Sequence, residues 1–519
     1  MKAVKILWVD DEIDLLKPHV IFLEGKDYSV ETCNNAPEAI DMVRATHFDL
    51  VLLDENMPGM SGLEALSEIK VIDPTLPVVM ITKSEEEDIM DEAIGSQISD
   101  YLIKPVNPKQ ILLSIKKNTD KRRLVSEKTT SAYQSRFSQL GMEINDCRSF
   151  EDWKRVYKKL VFWELELSSI EDSGMDEVLK MQKSEANNLF VRFIRKNYLD
   201  WMNLESDDKP LLSLNVFNEK VFPLLDKGEK VVFVLIDNLR LDQWQILYPI
   251  ISEYFVMHDD DMYCSILPTA TQYARNTMFS GLMPLDIQRR YPDMWINEDE
   301  ETSKNLHEEE LIALQLKRKF KDVKFNYEKV SSKKGGAKII DNFTTLMDSQ
   351  LNVFVYNFVD MLSHARTESE MIRELANDEA AYRSLTASWF ENSQLLELIK
   401  KLSEQDVKLI ISTDHGAIRV QNSLKVVGDR QTNTNLRYKQ GRNLKYNPKE
   451  VFEITKPADA HLPQANMSSS YIFATGEDFL AYPNNYNYYS SYYRNTFQHG
   501  GISLEEMLIP LITLSPRKK

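Results

Sequence analysis

The chain has 519 residues, 43% hydrophobic and 28% charged, the balance of a soluble globular protein with room for more than one buried core. Its 63 Lys and Arg face 80 Asp and Glu, a net charge of −17, and so acidic a surface repels a phosphate backbone unless basic residues are gathered locally, which disfavours duplex-DNA binding. The three cysteines (Cys33, Cys147, Cys264) lack CxxC spacing. No apolar run is long enough to span a membrane and no signal-peptide pattern opens the chain, so the expected location is the cytoplasm.

In residues 1–120, short apolar runs (Lys5–Val9, Phe48–Leu53, Pro77–Thr82, Tyr101–Ile103) alternate with helical patterns such as Ala36–Ala45 and Gly62–Lys70. That alternation predicts a doubly wound α/β domain with a parallel sheet, whose working residues sit at the carboxyl ends of the strands. Those ends carry Asp10 and Asp11, then Asp54, Thr82 and Lys104–Pro105. Three convergent carboxylates repel one another unless a divalent cation binds, and an all-oxygen set of this kind suits Mg²⁺. A neighbouring lysine can pair with an added phosphoryl group, and a threonine hydroxyl can bond to it.

The ordered motifs WVDDE, LLDENMPGMSG, MIT and YLIKP resemble the receiver domain of response regulators. The resemblance implies that Asp54 is the phosphoacceptor, and that Asp10, Asp11 and the Asn56 carbonyl join Asp54 in holding Mg²⁺. It makes Thr82 and Tyr101 the switch pair and Lys104 the phosphate contact. A cognate histidine kinase and a phosphorylation-dependent homodimer follow as expected partners. Lys83 departs from the family, which usually has a small residue after the switch threonine.

From 121 to 204, Gly and Pro nearly vanish. Trp153, Val156, Tyr157, Leu160, Val161 and Leu165 recur at helical spacing, followed by a run of Met175, Val178, Leu179 and Met181 and another of Leu189, Phe193, Ile194 and Trp201. Three amphipathic helices are predicted, packed as a small bundle with the aromatics as core. The last receiver helix is expected to continue into it past Lys116, Lys121, Arg122 and Arg123.

A second, larger α/β pattern fills 205–519. The runs Lys230–Asp237, Asn352–Asp360 and Lys408–Asp414 each read as a buried strand delivering an aspartate to one sheet edge, a costly arrangement without a metal. His364 follows Asp360 by one helical turn, His415 follows Asp414 directly, and His499 precedes Gly500–Gly501. Mixed Asp/His sets suit zinc or manganese, and two such sets at one edge point to a binuclear site for phosphoryl displacement. Thr271, in Pro268-Thr-Ala-Thr271 before a helix-like run, supplies a hydroxyl at a helix N-terminus.

The set VLIDN, PTATQYARNTMFSG, NFVDMLSH, STDHG and QHGG resembles the alkaline phosphatase superfamily and, within it, the PglZ branch. Joined to a receiver, this is the arrangement of PorX-type regulators of type IX secretion in Bacteroidota. The resemblance implies two zinc ions (or manganese), one on Asp237, Thr271, Asp414 and His415 and the other on Asp360, His364 and His499. It implies Thr271 as nucleophile, passing through a phospho-threonine that water hydrolyses.

The pattern departs from nucleotide phosphodiesterases after the nucleophile, where Gln272, Tyr273, Ala274 and Arg275 stand; Asn276 and Asn297 are the candidates for the missing transition-state amide. The basic stretch Lys425–Lys449 (Lys425, Arg430, Arg437, Lys439, Arg442, Lys445, Lys449) is either a phosphate-binding surface or a solvated loop, and the tyrosines of 482–493 either stack bases or pack a loop. The expected function is a phosphorylation-controlled zinc phosphodiesterase acting on nucleotide or oligonucleotide esters. The alternatives are a protein-binding switch toward a sigma factor or kinase, with a structural metal site, and a phosphomonoesterase. His19, His47, His258, His307 and His461 carry no functional expectation.

Overall fold

The computed structural model describes residues 4–73, 76–83, 98–168, 174–202, 209–298, 300, 303–319, 321–376, 378–429, 432–464, 466 and 468–517. The chain divides into two compact units, residues 1–135 and 136–519.

The first unit is a five-stranded parallel sheet. Strands β1 (Lys5–Val9), β2 (Ser29–Cys33), β3 (Leu50–Asp54), β4 (Val78–Thr82) and β5 (Asp100–Ile103) lie in the order β2-β1-β3-β4-β5. β3 and β4 are buried along their whole length, as continuous apolar runs require when helices cover both faces. The helices start where side chains replace the missing intrahelical acceptors. Asn35 accepts from the Glu38 amide before Ala36–Ala45, and Ser61 and Glu64 form a reciprocal capping box before Gly62–Ile72. β2 escaped the sequence reading because SVETC is a polar, half-exposed edge strand with no apolar run to mark it.

The connector has three helices, but not the three read from the sequence. They are Pro108–Asp146, Phe150–Ser168 and Met175–Met202. The two runs predicted as separate helices after Met175 form one, because residues 182–188 contain neither Gly nor Pro and nothing breaks the ladder. The aromatic core is as expected, with Trp153 against Phe190 (5.3 Å) and Phe150 against Trp201 (6.2 Å). The side chains of Lys121, Arg122 and Arg123 lie outside the described residues.

In the second unit a six-stranded sheet carries the site. Its strands are β6 (Val231–Ile236), β7 (Phe255–Cys264), β8 (Phe325–Val330), β9 (Leu351–Tyr356), β10 (Lys408–Ser412) and β11 (Leu508–Pro516), in the order β7-β11-β10-β6-β9-β8. The four strands β10, β6, β9 and β8 run parallel, and β11 pairs antiparallel with both β10 and β7. β7 holds three consecutive aspartates at the sheet edge, which mask it as a strand in sequence and blunt the edge against further pairing. Those aspartates face lysines: Asp259 pairs with Lys220 (2.6 Å), Asp260 with Lys158 (2.8 Å) and Asp261 with Lys154 (2.7 Å). Among the described residues no helix is long and apolar enough to cross a membrane.

Candidate metal centre

Asp237 directly follows β6, and Asp414 and His415 follow β10, so two parallel neighbours deliver them to one edge. Asp360 arrives differently from the expectation. β9 stops at Tyr356, and Asp360 sits in the first turn of the Phe358–Glu368 helix rather than at a strand end. That helix places His364 four residues on, its Nε2 at 3.5 Å from Asp360 Oδ2. His499 completes this group, with Nε2 at 3.6 Å from Asp360 Oδ1. Two ligand-competent groups result, Asp237/Asp414/His415 and Asp360/His364/His499, each with donor atoms within 4.8 Å of one another. The His415 and His499 rings stack at 4.2 Å, joining the groups.

Thr271 is the first residue of the Thr271–Ser280 helix, and its Oγ1 lies 3.1 Å from His415 Nε2. The hydroxyl thus faces the first group from a position where free backbone N–H groups favour anions. Thr269, just upstream, ties this segment to the histidine loop: its Oγ1 donates to the Gly501 carbonyl (2.8 Å) and accepts from the Gly500 amide (3.1 Å). His499 Nδ1 lies 3.3 Å from the Thr269 carbonyl, and His415 Nδ1 lies 3.3 Å from the Gly416 carbonyl. With Nδ1 carrying the proton, both Nε2 atoms are free as ligands. The Asp414 carbonyl is held by Ser265 Oγ (2.8 Å).

Arg275 is the residue that sequence reasoning missed. It is fully buried, and its guanidinium pairs with Asp237, with Asp414 (3.0 Å from Nε) and with Glu308 (3.2 Å from Nη1). Its position one turn after Thr271 on the same helix was the available signal. Asn238 was missed as well: it is buried, adopts φ 66°, and its Nδ2 lies 3.4 Å from Asp360 Oδ1, bridging the groups. The expected amides are committed elsewhere. Asn276 donates to the Lys304 carbonyl and accepts from Asn305, while Asn297 bonds to Glu300 and Gln288.

Electrostatics accord with a cation site. Burial pushes the Asp237 carboxyl well above the usual range despite Arg275, with Asp414 and Asp360 adding to the rise. Burial also acts to raise Asp414, but Arg275 and His415 outweigh it and hold the carboxyl at about 2. His499 is held well below the ordinary histidine value by burial and then by His415 and His364, which leaves it neutral. Among the described residues Asp237 Oδ1 is buried with no hydrogen-bond partner. A buried, unpaired carboxylate oxygen beside imidazole nitrogens is what a divalent cation would satisfy, and the mixed N/O donors fit zinc or manganese.

In the first unit Asp10, Asp11 and Asp54 also converge within 4.8 Å. Lys104 Nζ lies 2.9 Å from Asp10 and 2.8 Å from Asp54. Burial raises the Asp54 carboxyl above its ordinary range against the pull of Lys104, with Asp10 and Asp11 contributing. The Thr82 hydroxyl donates to Glu55, Tyr101 is exposed, and Asn56 follows Asp54 by two residues at the rim. Gly62 packs so closely beneath this edge that a Cβ there would lie 2.3 Å from the Asp54 carbonyl. Lys83 points outward, 3.8 Å from Glu12.

Within the basic stretch Arg437 and Lys439 turn inward, while Lys425, Lys445 and Lys449 are exposed. Arg437 is buried in a paired contact with Glu506, its Nη2 at 2.6 Å from Oε2, and Lys439 is buried with Nζ on the Asn433 carbonyl (3.0 Å). A side chain committed to a buried ion pair cannot also meet solvent phosphate. Arg430 lies outside the described residues. Several of the tyrosines pack the loop: Tyr486 donates to the Ser423 carbonyl (2.7 Å), Tyr482 to Asn433 (3.1 Å) and Tyr492 to Thr367 (2.9 Å).

The chain is a response regulator whose second unit is an alkaline-phosphatase-like domain. The chain belongs to the PglZ family: the model described as the BREX system PglZ alkaline phosphatase-like domain matches residues 216–514. The PorX response regulator linker domain matches 123–202 and the response regulator receiver domain matches 6–116, which together make the PorX-type architecture.

Among individual proteins, the transcriptional regulatory protein ZraR of Klebsiella oxytoca is 36% identical over 140 residues, 27% of this chain and 32% of that protein. The alginate biosynthesis regulatory protein AlgB of Pseudomonas syringae pv. tomato is 35% identical over 120 residues, 23% of this chain and 27% of that protein. The chain thus spans about a third or less of the length of these curated relatives. A CheY-like receiver domain structure from Methanospirillum hungatei matches at 30% identity and a TM-score of 0.22, over 22% of this chain and 94% of that one.

Proposed function

We propose that the second unit is a two-metal phosphodiesterase for nucleotide-type esters, controlled by phosphorylation of Asp54 by a cognate histidine kinase. The observation that carries this reading is the Thr271 hydroxyl, 3.1 Å from His415 Nε2 of the first ligand group. A purely structural metal site has no use for a hydroxyl there.

Asp237, Asp414 and His415 with Thr271 would hold one ion, and Asp360, His364 and His499 the other. Zinc bound there would supply charge neutralisation for the phosphoryl oxygens and a lowered pKa for the nucleophile. The residues do the rest. Thr271 Oγ gives up its proton and forms the bond to phosphorus as the ester oxygen departs with its electron pair, and that oxygen takes up a proton as the free alcohol, so the proton count balances. Hydrolysis of the phospho-threonine returns the hydroxyl. Arg275 fixes Asp237 and Asp414 relative to the helix that bears Thr271, so nucleophile and ligands are placed by one side chain.

In the receiver, a phosphoryl group on Asp54 adds about −1.5 to −2 charge beside Lys104 and draws the Thr82 hydroxyl from Glu55, with Tyr101 following. Mg²⁺ on Asp10, Asp11, Asp54 and the Asn56 carbonyl, homodimerisation on phosphorylation, a cytoplasmic location and a role in type IX secretion, including contact with a sigma factor, extend the same reading.

The test is hydrolysis of bis(p-nitrophenyl) phosphate with zinc and with EDTA, in wild type and Thr271→Ala. Zinc-dependent turnover lost in the variant is the expected result. Turnover that survives Thr271→Ala would remove the nucleophile assignment, and no turnover by the zinc-loaded wild type would remove the phosphodiesterase.

A further inference from the structure

A second cavity lies on the flank of the Thr271–Ser280 helix. Its volume is about 250 Å³, close to the lower end of small-ligand sites (about 300–1,000 Å³), so it suits one ring system rather than an extended chain. Tyr273, Trp295 and Tyr471 line it together with Glu298. The rings cluster around Tyr273, at 5.5 Å from Trp295, 5.8 Å from Tyr438 and 6.3 Å from Tyr471.

Asp429 and Arg442 also line the cavity, and Glu298 organises its tyrosine side. Glu298 Oε1 accepts the hydroxyls of Tyr273 (3.0 Å) and Tyr438 (2.5 Å). Among the described residues its Oε2 makes no hydrogen bond, which leaves an acceptor in an aromatic cavity. Two contacts tie the surroundings of the cavity to segments that carry the metal centre. A Cβ on Gly500 would lie 2.6 Å from Tyr438 Cδ1, so that ring packs on the backbone next to His499 while its hydroxyl reaches Glu298. On the other side, Gln272 Nε2 donates to the Ile296 carbonyl (2.7 Å), fastening the cavity wall to the residue after Thr271.

We infer that this cavity is a nucleobase subsite, with Glu298 as its specificity-determining acceptor and guanine as the favoured base. The inference rests on the phosphodiesterase reading above and adds the part of the substrate that is held away from phosphorus. Aromatic side chains accept any base face, whereas an ionised carboxylate accepts hydrogen bonds and donates none. Guanine presents adjacent N–H donors on its pairing edge. Thymine presents one N–H between two carbonyls, which face a carboxylate unfavourably.

The test compares kcat/KM for guanosine 5′-(p-nitrophenyl) phosphate, the thymidine ester, p-nitrophenyl phosphorylcholine and bis(p-nitrophenyl) phosphate, in the zinc-loaded wild type and Glu298→Gln. The wild type is expected to favour the guanosine ester over the thymidine ester by about tenfold or more, chiefly through KM, and the variant to lose most of that ratio. Equal use of the two nucleoside esters, a ratio that survives Glu298→Gln, or a preference for the choline ester would each overturn the assignment. Turnover of bis(p-nitrophenyl) phosphate without base preference sinks the subsite alone. If no ester is hydrolysed, the phosphodiesterase reading fails, and calorimetric titration of GMP and TMP into the wild type decides the cavity: selective GMP heat upholds it, none refutes it.

Discussion

Replacing Arg275 by methionine tests the electrostatic design of the site. The guanidinium is fully buried, and it is shared by Asp237, Asp414 and Glu308, whose side chains are 3% exposed or less. Removing one partner of a buried ion pair costs about 3–5 kcal/mol, because the remaining charges keep their desolvation penalty without compensation. Glu308 retains Lys329 at 3.0 Å, so the loss falls mainly on the two aspartates. At about 2 cal/mol/K of unfolding entropy per residue, a unit of roughly 380 residues carries about 0.8 kcal/mol/K, so the melting temperature falls by about 4–6 °C. That figure applies in EDTA. With zinc bound, the cation takes over much of the charge on Asp237 and Asp414, and the deficit shrinks. Thermal melts of full-length wild type and Arg275→Met, each with EDTA and with saturating zinc, give the comparison. A variant that melts within a degree of wild type in EDTA would refute the claim that the guanidinium holds these carboxylates.

Two further outcomes follow from single side chains. His364→Ala removes a ligand whose side chain is 60% exposed, so zinc measured by inductively coupled plasma spectrometry falls from two to one per chain while the melt in EDTA moves by less than about 0.5 kcal/mol equivalent; unchanged stoichiometry would take His364 out of the ligand set. Lys439 is depressed to about 7 by burial, with Glu298 only partly opposing. From about pH 7 to about pH 10 the unfolded chain therefore binds the extra proton, so wild-type stability climbs with pH across that window and the penalty is complete below it. Lys439→Met should then be more stable than wild type at pH 7, by on the order of 4 kcal/mol at most, with the gap closing toward pH 10. A gap that is flat with pH would show that the ammonium stays charged in the fold.

Legibility followed burial. β6 is a fully apolar run that stops just before Asp237, and β10 has the apolar centre Leu409–Ile411 shortly before Asp414; for such segments pattern and chemistry coincide. β7 was hidden because its aspartates are paid off by lysines from the preceding helices, partners that lie far away in sequence. Asp360 looked like a strand end because Phe358 and Val359 prolong the apolar run, yet the backbone turns helical at Phe358. Arg275 carried only a weak signal, its place one turn after Thr271: a lone arginine on a helix is ordinarily a solvated charge, and only the convergence of Asp237, Asp414 and Glu308 makes burial tolerable.

The same logic explains why the connector helices from Phe150 onward belong to the second unit. Glu164 of Phe150–Ser168 meets Lys183 of Met175–Met202 at 2.6 Å and Arg383 at 2.6 Å. Arg383 continues to Asp242 (3.1 Å), and Asp242 to Arg240 (2.6 Å), three residues after Asp237. Asn187 adds hydrogen bonds, accepting from the Leu504 amide (2.8 Å) and donating to the Glu505 carboxylate (3.1 Å). Sliding Met175–Met202 along this surface would strand several buried charges at once, each at a cost of a few kcal/mol. Glycine next to the histidine ligand completes the lock, since a Cβ on Gly416 would lie 2.1 Å from the Glu505 carbonyl and 3.4 Å from Arg240 Cγ. The helices are therefore linked, through Arg383, Asp242 and Glu505, to the segments that carry Asp237 and His415.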